Sequence, residues 1–285
     1  MKKILITHTD LDGTGCAIVF KKKYPDISVE FRNYDTINER AKELYDEKEK
    51  YEKIFFADII PTDREIGNKL VNDDKFVLID HHITQDYLKG KRTYNTDFCG
   101  AYLSAIYLFG NIEENYDLEN TSLSEIEKSF IYSIDAWDTW KLKSKFRENG
   151  ERLNLLCFYF NLENFTEQYQ NFDEIKGDNA IIAEVLERQE ARYQKHKISQ
   201  LQEDIDEDGN KYFKVFVGES HTGIGQIVDK IDMEDKKYVA FINLNTKQAR
   251  LNSKGFDVSK IAQKYGGGGH EKSARCPIKD YKIIY

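Results

Sequence analysis

The stretch Ile4-Leu5-Ile6-Thr7-His8-Thr9-Asp10-Leu11-Asp12-Gly13 places an apolar run directly before a histidine and two aspartates. A short apolar run of this kind is typical of a buried parallel strand. Alternate side chains of extended backbone point the same way, so His8, Asp10 and Asp12 can converge. One imidazole and two carboxylates suit a hard divalent cation such as Mn²⁺ or Mg²⁺. The aspartates could instead cap the following helix, but the phasing of the three residues disfavours that interpretation.

Two further apolar runs end in residues of the same kind. Ile54-Phe55-Phe56-Ala57 is followed by Asp58, and Phe76-Val77-Leu78-Ile79 is followed by Asp80-His81-His82. Ligands of open α/β sheets bind beyond the carboxyl ends of the strands, so three segments are predicted to bring ligands to one sheet edge. A lone aspartate often caps a helix, but beside these neighbours Asp58 is expected to bridge two ions. Of the adjacent histidines, one can bind metal while the other faces substrate, and Asp80 can fix a histidine tautomer.

The order of the elements predicts an α/β fold. Strand-like runs alternate with helical stretches up to about residue 80, which is typical of βαβ units and a mainly parallel sheet. Residues 100–146 are predicted to be helical, and residues 181–201 to form a long exposed helix. The turn signal at 206–210 indicates a boundary between domains 1–205 and 206–285.

Composition restricts the class of protein. The 285 residues are 40% apolar and 32% charged, as in a soluble globular protein. No apolar run approaches the ~20 residues of a membrane-spanning helix, and the N-terminal apolar stretch stops too early for a signal peptide. The four cysteines lie far apart, which disfavours a disulfide framework and a zinc site. We therefore predict a cytoplasmic protein with no membrane partner.

The net charge of −8 is unevenly distributed. Residues 209–285 contain 14 Lys and Arg against 8 Asp and Glu, a net charge of +6, so residues 1–208 have a net charge of −14. An acidic body argues against a long nucleic-acid track, which needs many phosphate contacts. A basic C-terminal part can bind one small phosphorylated ligand. Solvated surface charge is the alternative explanation of both values.

Three more segments contain candidate site residues. Asp135 and Asp138 end an apolar helical run, where capping is as good an explanation for each one alone. The run Gly266-Gly267-Gly268-Gly269-His270 can present backbone N–H groups to a phosphate, although glycine-rich turns are common. His221 lies in a turn-like segment and is the weakest candidate.

In this order the motifs resemble those of the DHH phosphoesterase superfamily. The similarity covers nearly the whole chain, and its motifs are His8-x-Asp10-x-Asp12, Asp58, Asp80-His81-His82, an aspartate near 138 and Gly267-Gly268-Gly269-His270. Together with residues 252–262, the last motif looks like the DHH-associated C-terminal domain. That domain occurs in oligoribonucleases, cyclic-dinucleotide phosphodiesterases and RecJ-type exonucleases.

The resemblance implies a mainly parallel-sheet N-terminal domain and a smaller α/β C-terminal domain that closes over an interdomain cleft. The first would hold two Mn²⁺ ions, with Mg²⁺ or Co²⁺ as substitutes. The implied metal ligands are His8, Asp10, Asp12, Asp58, His81 and either Asp138 or Asp135, with Asp138 favoured. His82 and Asp80 would be catalytic, with His82 contacting the scissile phosphate. The implied substrate-binding residues are Arg250, Asn252, Ser253, Gly267, Gly268, Gly269 and His270.

One position departs from the family pattern. Family members often carry an arginine where this chain has Asn252, and Arg250 would lie on the same face of a strand and could replace it. This change leaves the substrate preference open.

The expected activity is Mn²⁺-dependent hydrolysis of short oligonucleotides or of linear or cyclic dinucleotides. The open alternatives are a pAp-type nucleotide phosphatase, a RecJ-like single-strand exonuclease and a non-catalytic nucleotide-binding protein. The expected partner is a small phosphorylated nucleotide or a short oligonucleotide. The direction of cleavage and the oligomeric state stay open, with a homodimer among the options.

Overall fold

The computed structural model describes residues 2–83, 87–90, 92–110, 116–218 and 223–278. His221 lies outside this part of the chain. The structure divides into two compact units, Met1–Glu184 and Val185–Tyr285. Among the described residues, no helix combines the length and apolar character needed to cross a bilayer.

The first unit is built around a parallel five-stranded sheet. Its strands are β1 (Lys2–His8), β2 (Ser28–Arg32), β3 (Tyr51–Ala57), β4 (Phe76–Asp80) and β5 (Thr93–Tyr94), in the order β2-β1-β3-β4-β5. Every neighbouring pair is parallel. The connecting and following helices are α1 (Leu11–Lys23), α2 (Ile37–Asp46), α3 (Arg64–Val71), α4 (Gly100–Phe109), α5 (Glu125–Asp138), α6 (Arg147–Phe160) and α7 (Leu162–Gln168). The predicted α/β class is confirmed.

Both faces of this sheet are covered, which explains the continuous apolar strands. On one face, Ile4, Ile54 and Phe56 pack against apolar residues of α2 and α3. On the other side, α1 is buried along residues 11–20 and contacts α4, α5, α6 and α7. A helix that is surrounded in this way needs no polar stripe, so Gly13 and Gly15 can lie inside it.

The second unit contains a mixed six-stranded sheet. Its strands are β6 (Gln202–Ile205), β7 (Lys211–Val217), β8 (Tyr238–Asn243), β9 (Gln248–Asn252), β10 (Gly268–His270) and β11 (Ser273–Pro277), in the order β10-β11-β9-β8-β7-β6. Only β7 and β8 pair in parallel; the other described pairs are antiparallel. Two helices belong to this unit, α9 (Ile227–Lys230) and α10 (Val258–Lys264).

The division between the units falls within the long helix α8 (Asp178–Ile198). The second half of this helix contributes Tyr193 and Ile198 to an apolar cluster with β7 and β8. The turn signal at 206–210 forms the hairpin between β6 and β7, where Asp206 and Asn210 are hydrogen-bonded, so it lies inside the second unit. The boundary at 205/206 stays a prediction for the limits of separately folding parts.

Candidate metal centre

The candidate ligands of the first unit lie where three parallel strands end. The chain leaves β1 to form β2 on one side and returns to form β3 on the other, so the order reverses between β1 and β3. Such a switch point opens a crevice at the carboxyl edge of the sheet, because the connections on its two sides run in opposite directions. His8 ends β1, Asp58 directly follows β3, and His81 directly follows β4.

One group of possible ligands consists of His8, Asp10 and Asp58. The Nδ1 atom of His8 lies 2.6 Å from Oδ2 of Asp10 and 3.9 Å from Oδ2 of Asp58. Asp10 is also the N-cap of α1, since its Oδ1 accepts the N–H of Gly13 at 3.0 Å. The capping interpretation therefore applies to Asp10, and its other carboxylate oxygen still faces the group.

A second group consists of Asp12, His81 and Asp138. The Nε2 atom of His81 lies 3.5 Å from an oxygen of Asp12 and 3.5 Å from an oxygen of Asp138. It lies 3.2 Å from Oδ1 of Asp58, which also belongs to the first group. Asp58 thus faces both groups, as expected for a bridging carboxylate. We call the six residues of the two groups the acidic cluster.

The backbone around Asp58 is shaped to bring its carboxylate into the cluster. Asp58 has a φ of 62°, in the left-handed region that aspartate tolerates better than most residues. A Cβ atom at Gly100 would lie 2.6 Å from Cβ of Asp58, so only glycine allows α4 to begin this close.

Asp12 is held by the N-terminus of α4. Its two carboxylate oxygens accept the N–H groups of Gly100 at 2.6 Å and Ala101 at 2.7 Å. These are among the N–H groups that a helix leaves unpaired at its start, and the helix dipole favours a negative charge there. The preceding N–H, of Cys99, donates to Oδ1 of Asp135 at 3.0 Å, and Asp135 also accepts a hydrogen bond from Lys141. The structure therefore brings Asp138 into the cluster and places Asp135 beside it, paired with a lysine.

The chemistry of the cluster fits divalent cations. Oδ2 of Asp58 and Oδ2 of Asp138 are buried and have no hydrogen-bond partner among the described residues. Burial, followed by the neighbouring carboxylates, raises the pKa values of Asp12, Asp58 and Asp138. Buried carboxylates this close together need a compensating positive charge, and oxygen with some imidazole nitrogen suits Mg²⁺ or Mn²⁺.

Asp80 organises the two histidines that follow β4. Its Oδ1 accepts the backbone N–H groups of His81 at 2.8 Å and His82 at 3.3 Å and lies 2.7 Å from Nδ1 of His82. Burial disfavours a charged imidazole, but the Asp80 carboxylate outweighs it and raises the pKa of His82 to about 9. This shift favours the protonated imidazole, which can donate a charge-assisted hydrogen bond to a phosphate.

In the second unit, the predicted substrate-binding residues line up across strands. The register pairs His270 with Ser273 and Ser273 with Asn252, and it pairs Gly268 with Arg275 and Arg275 with Arg250. Directly paired residues share a face of the sheet, so these two rows lie on the same face. The alternate residues Ala249, Leu251, Ala274 and Cys276 belong to the apolar core on the other face.

Arg250 is a half-buried cation in these rows. Burial, and then the nearby Arg275, lowers the pKa of Arg250 to about 9. Its Nε atom is buried without a hydrogen-bond partner among the described residues, as is Oδ1 of Asn252. One guanidinium nitrogen lies 3.5 Å from the Ser273 hydroxyl, and no described salt bridge joins Arg250 to a carboxylate. The two rows therefore provide a positive charge and hydrogen-bond donors that suit the binding of an anion.

Ser253 and Gly267, which are predicted to bind substrate, have structural roles in this unit. Ser253 donates its hydroxyl to the carbonyl of Phe256, inside a turn. The glycine run is only partly a loop, because Gly268–His270 forms the edge strand β10. A Cβ atom at Gly267 would lie 1.9 Å from the Arg275 carbonyl oxygen, so glycine lets the run approach β11. Gly267 donates its own N–H to Ala262, whereas β10 has an outer edge not paired with another described strand.

Comparison with known proteins finds a relative along nearly the whole chain. The chain is 26% identical to the oligoribonuclease NrnB of Bacillus subtilis (strain 168), over 97% of its own length and 73% of that protein. No protein-family model matches it. This similarity agrees with the resemblance of the motifs to those of the DHH phosphoesterase superfamily.

Solved structures of DHH proteins share its fold. RecJ of Thermus thermophilus in complex with Mn²⁺ superposes with a TM-score of 0.61 at 12% identity, over 98% of this chain and 50% of RecJ. The pGpG-specific phosphodiesterase PggH of Vibrio cholerae superposes with a TM-score of 0.52 at 14% identity, over 98% of this chain and 94% of PggH. The proteins to which the chain is similar thus include an oligoribonuclease and a phosphodiesterase, which are both phosphoric ester hydrolases.

Sequence reasoning missed three side chains that lie near the candidate site residues. Ser273 and Arg275 lie in the two rows because of strand register, which no local motif specifies. Tyr34 lies beside the acidic cluster, with its ring centroid 5.5 Å from that of His8. Its position directly after β2, at the same sheet edge, is the one signal that could have indicated it.

The different surroundings of Asp135 and Asp138 predict different effects of substitution. Asp138→Asn should lower Mn²⁺ affinity strongly with little loss of stability, because it removes a charge from the cluster. Asp135→Asn should lower the free energy of unfolding by about 1–3 kcal/mol, because it breaks the pair with Lys141. It should weaken Mn²⁺ binding only about 10-fold, through Cys99 and α4. Calorimetric Mn²⁺ titration and urea unfolding measure the two effects; the reverse ranking would make Asp135 the ligand.

Proposed function

We propose that this protein is a Mn²⁺-dependent phosphodiesterase that hydrolyses short oligoribonucleotides and dinucleotides. The observation that carries the proposal is the pair of ligand groups at the switch point of the parallel sheet, with Asp58 of the first group also facing His81 of the second. The 26% identity to an oligoribonuclease, along nearly the whole chain, supports the substrate class. RecJ structures with Mn²⁺ and with Mg²⁺ support a divalent cation, of which Mn²⁺ is the one proposed.

His8, Asp10 and Asp58 would hold one metal ion, and Asp12, His81, Asp138 and Asp58 the other. When bound, two such ions supply an activated water and neutralise charge on the oxygens of the reacting phosphate. The protein contributes the positions of the ligands. Asp10 is fixed by the start of α1, Asp12 by the start of α4, and His81 by the Asp80 turn.

His82 would act on the phosphate itself. Its Nδ1 is engaged by Asp80, so its Nε2 would be the nitrogen that contacts a substrate. An imidazolium there donates a hydrogen bond to the transferring phosphoryl group or a proton to the leaving oxygen. Asp80 would keep the ring oriented and charged, in the way that carboxylates support histidines at many catalytic sites.

The second unit would bind another phosphate of the same substrate. Arg250, Arg275 and His270 supply charge and hydrogen-bond donors on one face of the sheet, and Asn252 and Ser273 add polar groups between them. Contacts away from the reacting phosphorus orient a substrate and lower the barrier by holding it in place. One compact anion site suits a substrate of a few nucleotides better than a long strand, which needs many phosphate contacts.

The proposal is tested by comparing substrates. Purified protein with Mn²⁺ is assayed on pApA, on a long single-stranded RNA and on pAp, with kcat/KM measured for each. We expect the dinucleotide to give the highest value. A preference for pAp would support a phosphomonoesterase, and a preference for the long strand with a steep salt dependence would support a RecJ-like exonuclease. Tight dinucleotide binding without turnover of any ester would show a non-catalytic protein.

Arg250→Gln should raise KM for pApA by about 10-fold or more, because a charge-assisted hydrogen bond contributes roughly 1.5–3 kcal/mol. Turnover of bis(p-nitrophenyl) phosphate should hardly change, since this small diester has no second phosphate. The free energy of unfolding should not fall, because the variant removes a half-buried cation that lacks a carboxylate partner. His270→Ala should likewise raise KM for pApA and hardly change turnover of bis(p-nitrophenyl) phosphate.

Lys237→Gln is the control for Arg250→Gln, since it removes one exposed positive charge from the same unit. It should leave KM for pApA within twofold of the wild-type value. Equal losses on pApA and on the small diester in Arg250→Gln would mean that the rows do not bind a second phosphate.

A further inference from the structure

Tyr34 lies at the edge of the acidic cluster and has no role in the function described so far. Its ring centroid is 5.5 Å from the His8 ring and 6.1 Å from the His82 ring, which it meets edge-on at 87°. These are the histidine that ends β1 and the histidine expected to face the phosphate. With 37% of its surface exposed, Tyr34 is open to an incoming molecule.

The turn that carries Tyr34 is fixed to the cluster. Asn33 accepts a hydrogen bond from the Thr9 hydroxyl at 2.5 Å, and Thr9 lies between His8 and Asp10. The Asn33 carbonyl accepts the N–H groups of Thr36 at 3.1 Å and Ile37 at 3.0 Å, which closes the turn at the start of α2. Immediately before the turn, Arg32 is the register partner of His8. The backbone of the turn that carries Tyr34 is therefore held close to His8 and Asp10.

Tyr34 brings a phenol hydroxyl to this edge of the cluster, on a ring whose centroid lies within 6.1 Å of those of the His8 and His82 rings. No described hydrogen bond uses this hydroxyl. A phenol is protonated at neutral pH even at its ordinary pKa, so the group can act as a donor.

We propose that Tyr34 is a further substrate-contacting residue, whose hydroxyl donates a hydrogen bond to the phosphoryl group that is placed at the acidic cluster. This inference rests on the proposed function. A neutral donor beside the imidazolium of His82 adds a second hydrogen bond to an oxygen on which negative charge increases during the reaction. Donors placed in advance for such an oxygen lower the barrier because they need no reorganisation.

The competing explanation is that Tyr34 only packs against the imidazole rings and keeps His8 in position. Phenylalanine retains the ring and removes the hydroxyl, so Tyr34→Phe separates the two roles. Tyr87→Phe is the matched control, because it removes a tyrosine hydroxyl of the same unit. That hydroxyl donates to the Pro61 carbonyl at 3.0 Å.

The test combines kinetics with two binding measurements. The kcat values for pApA and for bis(p-nitrophenyl) phosphate are measured with Mn²⁺, and calorimetry gives the affinities for Mn²⁺ alone and for AMP in the presence of Mn²⁺. In Tyr34→Phe we expect kcat to fall on the order of a hundredfold on both substrates, because both present the same reacting phosphate. AMP should bind roughly tenfold more weakly. Mn²⁺ affinity should stay within twofold, and Tyr87→Phe should match the wild type in every measurement.

Two results would overturn the proposal. Wild-type kcat and AMP affinity in Tyr34→Phe would show that the ring only packs, and a matching loss of Mn²⁺ affinity would show that the hydroxyl acts on the ligands. If the wild-type protein hydrolyses neither ester, the proposed function fails, and the AMP titration still decides whether Tyr34 contacts a phosphate.

Discussion

Asp58→Asn should abolish turnover while making the metal-free protein more stable. An amide has no charge with which to bridge two cations, so we expect kcat to fall on the order of a thousandfold or more. In the absence of metal, the same change removes one of the buried carboxylates that repel each other. The free energy of unfolding should then rise by about 1–2 kcal/mol, as is common when a functional strain is removed.

Asp58→Asn should also change the pH dependence of the stability of the metal-free protein. Burial, followed by Asp12 and Asp10, raises the folded-state pKa of Asp58 well above its value in an unfolded chain. The folded state therefore binds protons more tightly, and the metal-free wild-type protein loses stability as the pH rises through the raised value. Asp58→Asn should show a smaller loss over the same range.

Thermal unfolding in EDTA and in Mn²⁺ measures both effects. The wild-type protein should gain thermal stability on addition of Mn²⁺, because a ligand that binds only the folded state stabilises it. Asp58→Asn should unfold at a higher temperature than the wild type in EDTA and gain much less from Mn²⁺. Asp26→Asn, at an exposed position in the same unit, should follow the wild type throughout. A lower unfolding temperature of Asp58→Asn in EDTA would contradict the idea of a strained cluster.

Gly13→Ala should damage both the fold and the metal site. A Cβ atom at this position would lie 2.1 Å from the carbonyl oxygen of His8 and 2.8 Å from its backbone nitrogen. No side-chain rotation can relieve a collision between backbone atoms, so His8 and the start of α1 must move apart. We expect a loss of about 3 kcal/mol in the free energy of unfolding and more than a hundredfold in kcat, since a shift of ~1 Å at a reacting site has that effect.

Gly218→Ala is the matched control for this experiment. Apart from the glycine itself and its chain neighbours, no heavy atom of the described residues lies within 4 Å of the position that its Cβ would take. The stability of this variant should stay within about 0.5 kcal/mol of the wild type, and its Mn²⁺ affinity should be unchanged. Wild-type Mn²⁺ affinity in Gly13→Ala would mean that the loop before α1 adjusts without moving His8.

Sequence reasoning works well for the parallel sheet because its signals are local. A buried strand is a short apolar run, and a ligand at its carboxyl end is the next residue or two, so His8, Asp58 and His81 can be predicted without knowledge of tertiary contacts. Asp138 is harder, because Asp135 lies almost one helical turn away and both can face the same side. The pairing of Asp135 with Lys141 and Cys99 separates them only in three dimensions.

The second unit shows what local patterns leave open. The glycine run predicts a loop, yet Gly268–His270 pairs with β11, because an edge strand without side chains looks like a turn in sequence. The expectation that Arg250 and Asn252 share a strand face is correct, since both lie in β9. Their neighbours Ser273 and Arg275 depend on register, which is set by the packing of the whole sheet.

Every residue of the acidic cluster lies within the first 138 positions, in a unit that ends at Glu184. During synthesis, the ribosome therefore completes the whole ligand set before it starts on the remainder of the chain. At about 5–20 residues per second, translation of residues 185–285 takes roughly 5–20 s, and N-terminal units generally fold first. The cation ligands and the arginine-lined sheet are thus synthesised, and are expected to fold, at different times.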